Sequence, residues 1–470
     1  MAKTEPWRLL KAGTIYTIAN VLLKGISFFT IPIFIRLLSP EEFGRFNVFI
    51  SFEGIIFMFS GLTLHASIKN AYYDKKNDYD CYVKNCVYVD FFNSIIIAFI
   101  ANIICLFWSN LIDLSFFEIN LLMLAGFCGA VTSIYGSKLI MEYKAGGYAL
   151  MSFISVITGI TLSLVFIFTI FSIDHYMGRI VGLVIGELAA AIYALINIFK
   201  GGLSPLMPSY WKYGLKISLP IIPHGLSQII LSSANRIMIK YLYNATLAGI
   251  FSFTYTLSMV PQVLFQSATS VWEPWFFERM SENNTEQIRR KSTLFCLLIS
   301  FVFVMMSCIT PEIVKIMATE EYLEAIDISI IVLLGCYFAT LYNIPCEVEY
   351  FHKKTKHIAT STFACAVINV MLNYVLMKVF SYKIAAYTTL FAYLLYFLFH
   401  MYMSYRICGY WIFNIRTMLM IIISSVSVMI ASLILTDFMY IRFAIMLVLL
   451  VSLFAKSRNI IQQVKEIKNR

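Results

Sequence analysis

Charged side chains are scarce in this chain. Asp, Glu, Lys and Arg make up 13% of its 470 residues, about half of their share in an average soluble domain. Hydrophobic residues make up 60%, and the mean hydropathy is +0.78. A soluble core cannot absorb so much apolar surface, so the composition excludes an ordinary soluble protein. It predicts an all-α integral membrane protein whose main solvent is the bilayer.

Paired cysteines and familiar catalytic motifs are also lacking. None of the ten scattered cysteines forms a C-x-x-C pair, which argues against a zinc site or disulfide framework and predicts free thiols. The chain has no G-x-x-x-x-G-K-[ST], H-E-x-x-H or G-x-S-x-G motif, and its six histidines are dispersed. We therefore expect no enzyme activity, no metal site and no bound cofactor.

The chain does contain many long apolar runs. They predict about 14 membrane-spanning helices of roughly 20 residues, from 13–35 to the last two at 416–436 and 440–456. The connections are short, and the longest predicted outer one is 311–325. Lys and Arg concentrate in alternate connections, which predicts an even number of spans and two cytoplasmic termini.

This charge bias also explains the net charge of +10 without a nucleic-acid partner. The N-terminal residues lack a small-residue cleavage site, so we expect a retained cytoplasmic end and not a signal peptide.

The segment 200–212, which is rich in glycine and proline, divides the predicted spans into two sets. The turn near Gly44 resembles a second one near Gly249, which predicts two pseudo-symmetric six-helix lobes around a central cavity, plus two C-terminal helices. The predicted boundaries are 1–199 for the N-terminal lobe, 200–212 for the cytoplasmic linker, 213–406 for the C-terminal lobe, and 407–470 for the additional helices and basic tail.

Lys24 lies in the middle of the first predicted span. An ammonium group at the bilayer centre costs roughly 2.5–3.5 kcal/mol on insertion scales. About eleven residues, or roughly 16 Å, separate Lys24 from either end of its run, which is far for a snorkelling side chain. We expect it to face a wet cavity.

Three further basic residues extend this pattern. Arg36 follows the first span, and Arg236 and Lys240 lie toward the outer end of the seventh. With Lys24 they predict a cationic lining that binds an anion such as a diphosphate. The alternative for Arg36 and Lys240 is a role as interfacial anchors.

Several carboxyl groups also fall within the predicted spans. Glu53 and Glu187 lie near mid-span and are candidates for coupling transport to a proton or sodium gradient, unless they are simply buried and neutral. Other acidic residues lie within about two turns of the cytoplasmic end, where water makes a structural role the simpler interpretation: Asp90, Glu273, Glu347 and Glu349.

Prolines interrupt two spans of the second half. Pro220 and Pro223 lie in the seventh span and Pro261 in the eighth. Proline removes a backbone donor and clashes with the preceding turn, so we expect kinks there. A hinge role is one interpretation; kinks without a hinge role are the other.

Two stretches resemble the bacterial Wzx-type O-antigen and polysaccharide-unit flippases of the multidrug/oligosaccharidyl-lipid/polysaccharide exporter superfamily. The first, 15–46, has Lys24 and Arg36 before an L-S-x-E-E-F-G turn. The second, 218–278, has two prolines, a late W-x-P, and Asn235 beside Arg236, where an acidic residue is common in that family.

The resemblance implies two six-helix lobes around a cavity that opens alternately to either side of the membrane. It implies transport of an undecaprenyl-diphosphate-linked oligosaccharide to the outer leaflet of the bacterial inner membrane. Membrane lipids, a polysaccharide polymerase and a chain-length regulator are the implied partners. Sugar recognition would fall to polar and aromatic cavity residues.

Two other functions remain open at this point. A multidrug/cation antiporter of the same superfamily predicts an acidic cavity, whereas the basic residues favour an anion. A membrane glycosyltransferase or polysaccharide polymerase predicts a sizeable outer loop with acidic residues, and the segment 311–325 carries acids but is short.

Overall fold

The computed structural model describes residues 25–26, 29–108 and 114–451, and these residues contain no β-strand. Their helices are α1 (29–37), α2 (Pro40–Gly61), α3 (His65–Asp74), α4 (Tyr79–Trp108), α5 (Phe116–Met141), α6 (Ala145–Thr169), α7 (His175–Ile198), α8 (Pro208–Ser218), α9 (Ile222–Leu242), α10 (Ala245–Ser258), α11 (Val260–Ser281), α12 (Thr285–Met317), α13 (Ala325–Leu341), α14 (Asn343–Phe351), α15 (Thr355–Val379), α16 (Ile384–Cys408), α17 (Ile415–Ile434) and α18 (Met439–Val451).

The predicted all-α membrane fold is confirmed. Twelve helical stretches in the described residues are long and apolar enough to cross a membrane, and α18 is a shorter apolar helix. Most of the first predicted span, 13–35, lies outside the described residues. All ten cysteines are described and free, as predicted.

Polar caps set the starts of two helices that later matter for packing. Ser39 Oγ accepts a hydrogen bond from the Glu42 backbone N–H at 3.2 Å, and Glu42 Oε2 accepts one from the Ser39 N–H at 3.0 Å. This capping box begins α2. Asn244 Oδ1 accepts from the Leu247 N–H at 2.9 Å and caps the start of α10.

The predicted helix breaks are present at the prolines. Pro220 lies in a 3₁₀ turn, Leu219–Ile221, between α8 and α9, and Pro223 lies in the first turn of α9. Pro261 lies in the first turn of α11, after a break at Met259. Because each proline lies at a helix break or in a first turn, the backbone N–H that it lacks costs the helix little. The hinge role of these residues stays a prediction.

The described contacts divide the chain into two compact units. The first extends to Ser252 and includes Ala359–Tyr382; the second comprises Phe253–Ile358 and the chain from Lys383 onward. The predicted lobe boundaries stay a prediction.

Small residues pack α6 against α7 in the first unit. Gly178, Gly182 and Gly186 recur every fourth residue and so share one face of α7. A Cβ atom on Gly182 would lie 2.3 Å from the backbone nitrogen of Ser163, so the two backbones approach as closely as small-residue membrane interfaces allow. Helix α2 packs against α5, α7 and α9 in the same unit.

Two glycines also bring α2 and α10 into contact in the first unit. A Cβ atom on Gly44 would lie 1.9 Å from the carbonyl oxygen of Ala245, and one on Gly249 would lie 1.9 Å from that of Pro40. Both glycines are helical, so placing them in turns was wrong. The two matching positions of the sequence repeat instead form one helix crossing.

The predicted linker, 200–212, is fixed against α4 in the first unit. Lys84 Nζ donates to the Gly202 carbonyl at 2.6 Å, and Asn85 Oδ1 accepts from the Met207 N–H at 2.8 Å and Trp211 Nε1 at 3.0 Å. Helix α8 already begins at Pro208.

Helix α13 is the central helix of the second unit. All its side chains except Ile326 and Asp327 are buried, and it packs against α11, α12, α16 and α17. A helix that is apolar all round is expected at such a position.

The predicted outer connection 311–325 is wrong in its first half. Helix α12 continues through Pro311 to Met317, and a 3₁₀ turn, Glu320–Tyr322, precedes α13. Glu312, one of the acidic residues of this segment, is paired inside the unit with Arg442.

Candidate functional site

Glu53 of α2 and Glu187 of α7 are brought together in the first unit. Their side chains interact electrostatically, and Oε2 of Glu187 is buried without a hydrogen-bond partner among the described residues. A carboxyl group must carry a proton to donate to another carboxyl, and two adjacent carboxylates repel each other. A proton on one of the two groups would remove this repulsion, and a role of the pair in coupling transport to a proton or sodium gradient stays a prediction.

A third carboxyl group lies in the same region. Asp90 of α4 is fully buried, and Ser94 Oγ donates to its Oδ1 at 3.4 Å. Both Asp90 and Glu187 interact electrostatically with the buried thiol of Cys128 on α5. The expectation that water reaches Asp90 is wrong, because protein encloses it.

The basic candidates of the first unit are placed on α1 and α9. Arg36 is exposed, whereas Arg236 and Lys240 are half-buried and lie one turn apart on the same face of α9. Lys240 Nζ lies 5.7 Å from the ring centroid of Tyr241. Lys24 lies outside the described residues, and a single cavity containing all four groups stays a prediction.

The sequence-based candidates did not include Arg179 of α7. Its guanidinium carbon lies 3.9 Å from the ring centroid of Phe34 and 5.0 Å from that of Phe46, and its Nη1 donates to Ser163 Oγ at 2.9 Å. Aromatic rings stabilise the charge, and no carboxylate pairs with it among the described residues. Hydropathy alone treats an arginine this close to a helix start as interfacial.

Asn235 takes part in an amide cluster. It is fully buried and accepts a hydrogen bond from Asn373 Nδ2 of α15 at 2.5 Å, and the same amide lies 3.1 Å from Asn369 Oδ1. Amide groups satisfy one another without charge, so Asn235 is hydrogen-bonded by Asn373 and, being neutral, cannot form an ion pair with Arg236.

Buried acidic groups also occur in the second unit. Glu349 and His400 are fully buried and hydrogen-bonded to each other. Glu347 is 4% exposed, and its Oε2 has no partner among the described residues. The expectation of solvated carboxyl groups is wrong for these two glutamates, while Glu273 is exposed as expected.

A cavity of about 220 Å³ lies beside Glu273 in the second unit. One wall is a single face of α11, and the other is the junction of α13 and α14 at Tyr342. Apart from Phe265, every lining residue is polar: Gln262, Gln266, Thr269, Glu273, Thr340, Tyr342 and Asn343. The cavity can form several directional hydrogen bonds but contributes no positive charge.

Three solved structures share the fold of this chain. The lipid II flippase MurJ, in an inward closed conformation, aligns with a TM-score of 0.76 and 15% identity over 95% of this chain and 100% of its own. An inward-facing multidrug resistance MATE family transporter of the MOP superfamily aligns with a TM-score of 0.63 and 14% identity over 84% of this chain and 96% of its own. An outward-facing MATE family transporter aligns with a TM-score of 0.55 and 15% identity, over 85% of this chain and 96% of its own.

Sequence comparison identifies the family. No curated protein matches the chain. A family described as “Polysaccharide biosynthesis protein” matches residues 9–280, more than half of the chain. The predicted superfamily fold is confirmed, and the chain belongs to the polysaccharide biosynthesis protein family.

Proposed function

We propose that this protein is a Wzx-type flippase of the bacterial inner membrane with both termini in the cytoplasm. It moves oligosaccharide repeat units linked to undecaprenyl diphosphate from the cytoplasmic to the outer leaflet by alternating access. The units serve O-antigen, capsule or exopolysaccharide synthesis and pass to a polysaccharide polymerase and a chain-length regulator.

The extent of the likeness to the lipid II flippase carries this proposal. That likeness covers 95% of this chain, against 84% for the inward-facing multidrug transporter. A flippase fold supports a lipid substrate, and the family supports a polysaccharide precursor. A lipid-linked oligosaccharide is the substrate that combines the two.

The basic residues supply the contact to the diphosphate in this proposal. Lys24, Arg36, Arg236 and Lys240 provide ammonium and guanidinium donors, and guanidinium groups bind phosphate oxygens in pairs. Arg179 adds a further guanidinium group in the first unit.

A multidrug/cation antiporter is the second candidate, favoured by the carboxyl pair Glu53–Glu187 and the likeness to MATE transporters. A polymerase or glycosyltransferase gains no support from the segment 311–325, because α12 occupies its first half.

Deletion of the gene in the source organism tests the proposal. We expect complete lipid-linked repeat units to accumulate on the cytoplasmic side, measured with a sugar-directed probe that cannot cross the membrane. The wild-type chain restores export, whereas Lys24→Ala restores none, because the diphosphate loses its mid-membrane counter-charge. A control immunoblot establishes that the variant is inserted and abundant. Unpolymerised units at the outer face would point to a polymerase, and a normal level and location would point to small cations.

Glu53→Gln and Glu187→Gln test the coupling of transport to a proton or sodium gradient. Glutamine keeps the size and hydrogen bonding but cannot release a proton. We expect transport in proteoliposomes that no longer responds to an imposed gradient, while Glu286→Gln, at an exposed position of α12, responds as the wild type does. An undiminished response in both variants would remove this pair from the coupling mechanism.

A further inference from the structure

We propose that the cavity between α11 and the α13–α14 junction of the second unit binds sugar rings, and that it accepts neutral sugars and rejects acidic ones. The proposal rests on the proposed function for its natural ligand, the glycan of the repeat unit. The site itself is defined by one unit of the fold.

The face of α11 is regular. Gln262, Gln266, Thr269 and Glu273 follow one another at spacings of four, three and four residues, which places them along one side of a helix. At 1.5 Å per residue this face is about 16 Å long. The polar side chains are therefore held in a row by a rigid element.

Amide groups dominate the hydrogen-bonding capacity of the cavity. Gln262, Gln266 and Asn343 each carry an N–H₂ donor and a carbonyl acceptor. Sugar hydroxyls both donate and accept, so side-chain amides match them in either direction. Asn343 Nδ2 donates a hydrogen bond to the Thr340 carbonyl at 3.0 Å. This bond fixes the orientation of the Asn343 amide and leaves its Oδ1 available to a ligand.

The two threonines act differently from the amides. Thr269 Oγ1 donates to the Phe265 carbonyl at 2.9 Å, and Thr340 Oγ1 donates to the Cys336 carbonyl at 2.8 Å. Because each hydroxyl proton is already committed to the backbone, these side chains offer acceptor lone pairs and methyl groups. They suit a ligand rich in O–H donors.

Aromatic rings supply apolar surface next to these polar groups. Phe265 packs edge-to-face on Phe295 with 6.0 Å between ring centroids. Tyr342 is held by the ring of Tyr396, at 4.5 Å between centroids, and by that of His400 at 5.7 Å. Convergent polar groups beside a fixed aromatic ring are what a sugar ring, with its apolar C–H face, requires.

The charge of the cavity sets its selectivity. Glu273 is the charged residue among those that line it, and the partly unpartnered carboxyl of buried Glu347 interacts electrostatically with it. A negative charge on the ligand would be repelled by the Glu273 carboxylate, which lines the cavity and is exposed. The diphosphate and sugars with carboxylate groups are therefore excluded, and neutral sugars remain.

The size of the cavity limits how much of the glycan enters. Its volume of about 220 Å³ is below the roughly 300–1,000 Å³ of pockets that enclose drug-sized ligands. A single sugar ring fits, so the site selects a terminal or branching sugar and not the whole repeat unit.

Saturation-transfer NMR on the full chain in lipid nanodiscs tests the site. The probes are the methyl glycosides of glucose, galactose and N-acetylglucosamine, with methyl glucuronide as the acidic analogue. We expect saturation transfer to at least one neutral glycoside and none to the glucuronide. Gln262→Leu and Asn343→Leu should weaken the neutral signal about five-fold, as loss of a hydrogen bond does, while Gln287→Leu outside the cavity leaves it unchanged.

Glu273→Gln tests whether the charge of Glu273, and not the shape of the cavity, excludes the acidic probe. The variant has a neutral amide of the same shape where the wild type has a carboxylate. We therefore expect it to bind the glucuronide as well as the neutral probe. Equal binding of both probes to the wild type would overturn the proposal. So would absence of any neutral signal, or an unchanged signal in both leucine variants. Accumulation of repeat units in the deletion strain is measured independently, so the site can fail while the flippase function stands.

Discussion

Gly249→Ala is expected to destabilise the protein by at least about 3 kcal/mol, at the upper end of overpacking costs. Its new Cβ atom would lie 1.9 Å from the carbonyl oxygen of Pro40. Real Cβ atoms do not come this close to an oxygen, so α2 and α10 must separate. The measurement is the temperature at which purified protein in detergent loses its monodisperse peak in size-exclusion chromatography.

The crossing of α2 and α10 is reciprocal, so relaxation of the structure cannot easily reduce the loss of stability. Gly44 meets the carbonyl oxygen of Ala245 at the same 1.9 Å, so Gly44→Ala should have an equal effect. Both obstacles are backbone atoms of capped helix starts and cannot rotate away as a side chain would. Separating the helices also removes the close backbone packing that small residues allow between membrane helices.

Gly146→Ala is the matched control for this experiment. Gly146 lies at the start of α6, where an added methyl group would have no atom within 4 Å and the backbone is not left-handed. Alanine favours helix over glycine by roughly 1 kcal/mol, so this variant should be as stable as the wild type or slightly more so. Equal melting of the Gly249 and Gly146 variants would contradict the close crossing.

Arg442→Met should cost about 3–5 kcal/mol, the range for breaking one partner of a buried ion pair. The guanidinium is fully buried, binds the Glu312 carboxylate through both terminal nitrogens, and donates to the carbonyls of Cys308, Leu435 and Thr436. Methionine fills part of the space but leaves these acceptors and a carboxylate without their donor. The same thermal assay reports the loss.

A second substitution tests the origin of that loss. Arg442→Met combined with Glu312→Leu removes the stranded carboxylate, so the double variant should regain part of the lost stability. Arg406→Met, at an exposed position at the end of α16, should change little. If the double variant were no more stable than Arg442→Met, the stranded charge would not be the cause.

Local patterns predicted the helices well. Apolar runs, caps and prolines act within a few residues, so span positions and the breaks at Pro220 and Pro261 could be predicted from the sequence. The repeat around Gly44 and Gly249 also indicated equivalent positions. Their contact could not be predicted, because equivalence in a repeat does not say that the two copies touch.

Contacts between residues far apart in the sequence could not be predicted for the same reason. Arg442 and Glu312 are 130 positions apart, and His400 and Glu349 are 51 apart. A hydropathy window considers each ionisable residue without its distant partner and predicts that the residue is solvated. The cavity of the second unit joins α11 to residues near Tyr342, so its polar residues could not be grouped from sequence.

The position of α15 has a consequence for biosynthesis. The first unit includes this helix, although 253–358 of the other unit come between. At translation rates of about 5–20 residues per second, the ribosome spends roughly 5–20 seconds on that intervening segment. Throughout this interval Asn235 lacks Asn373, and Tyr243 lacks the Met377 carbonyl that it binds in the finished protein. The nascent chain must therefore wait in the membrane with an incomplete first unit, and only the arrival of α15 completes it.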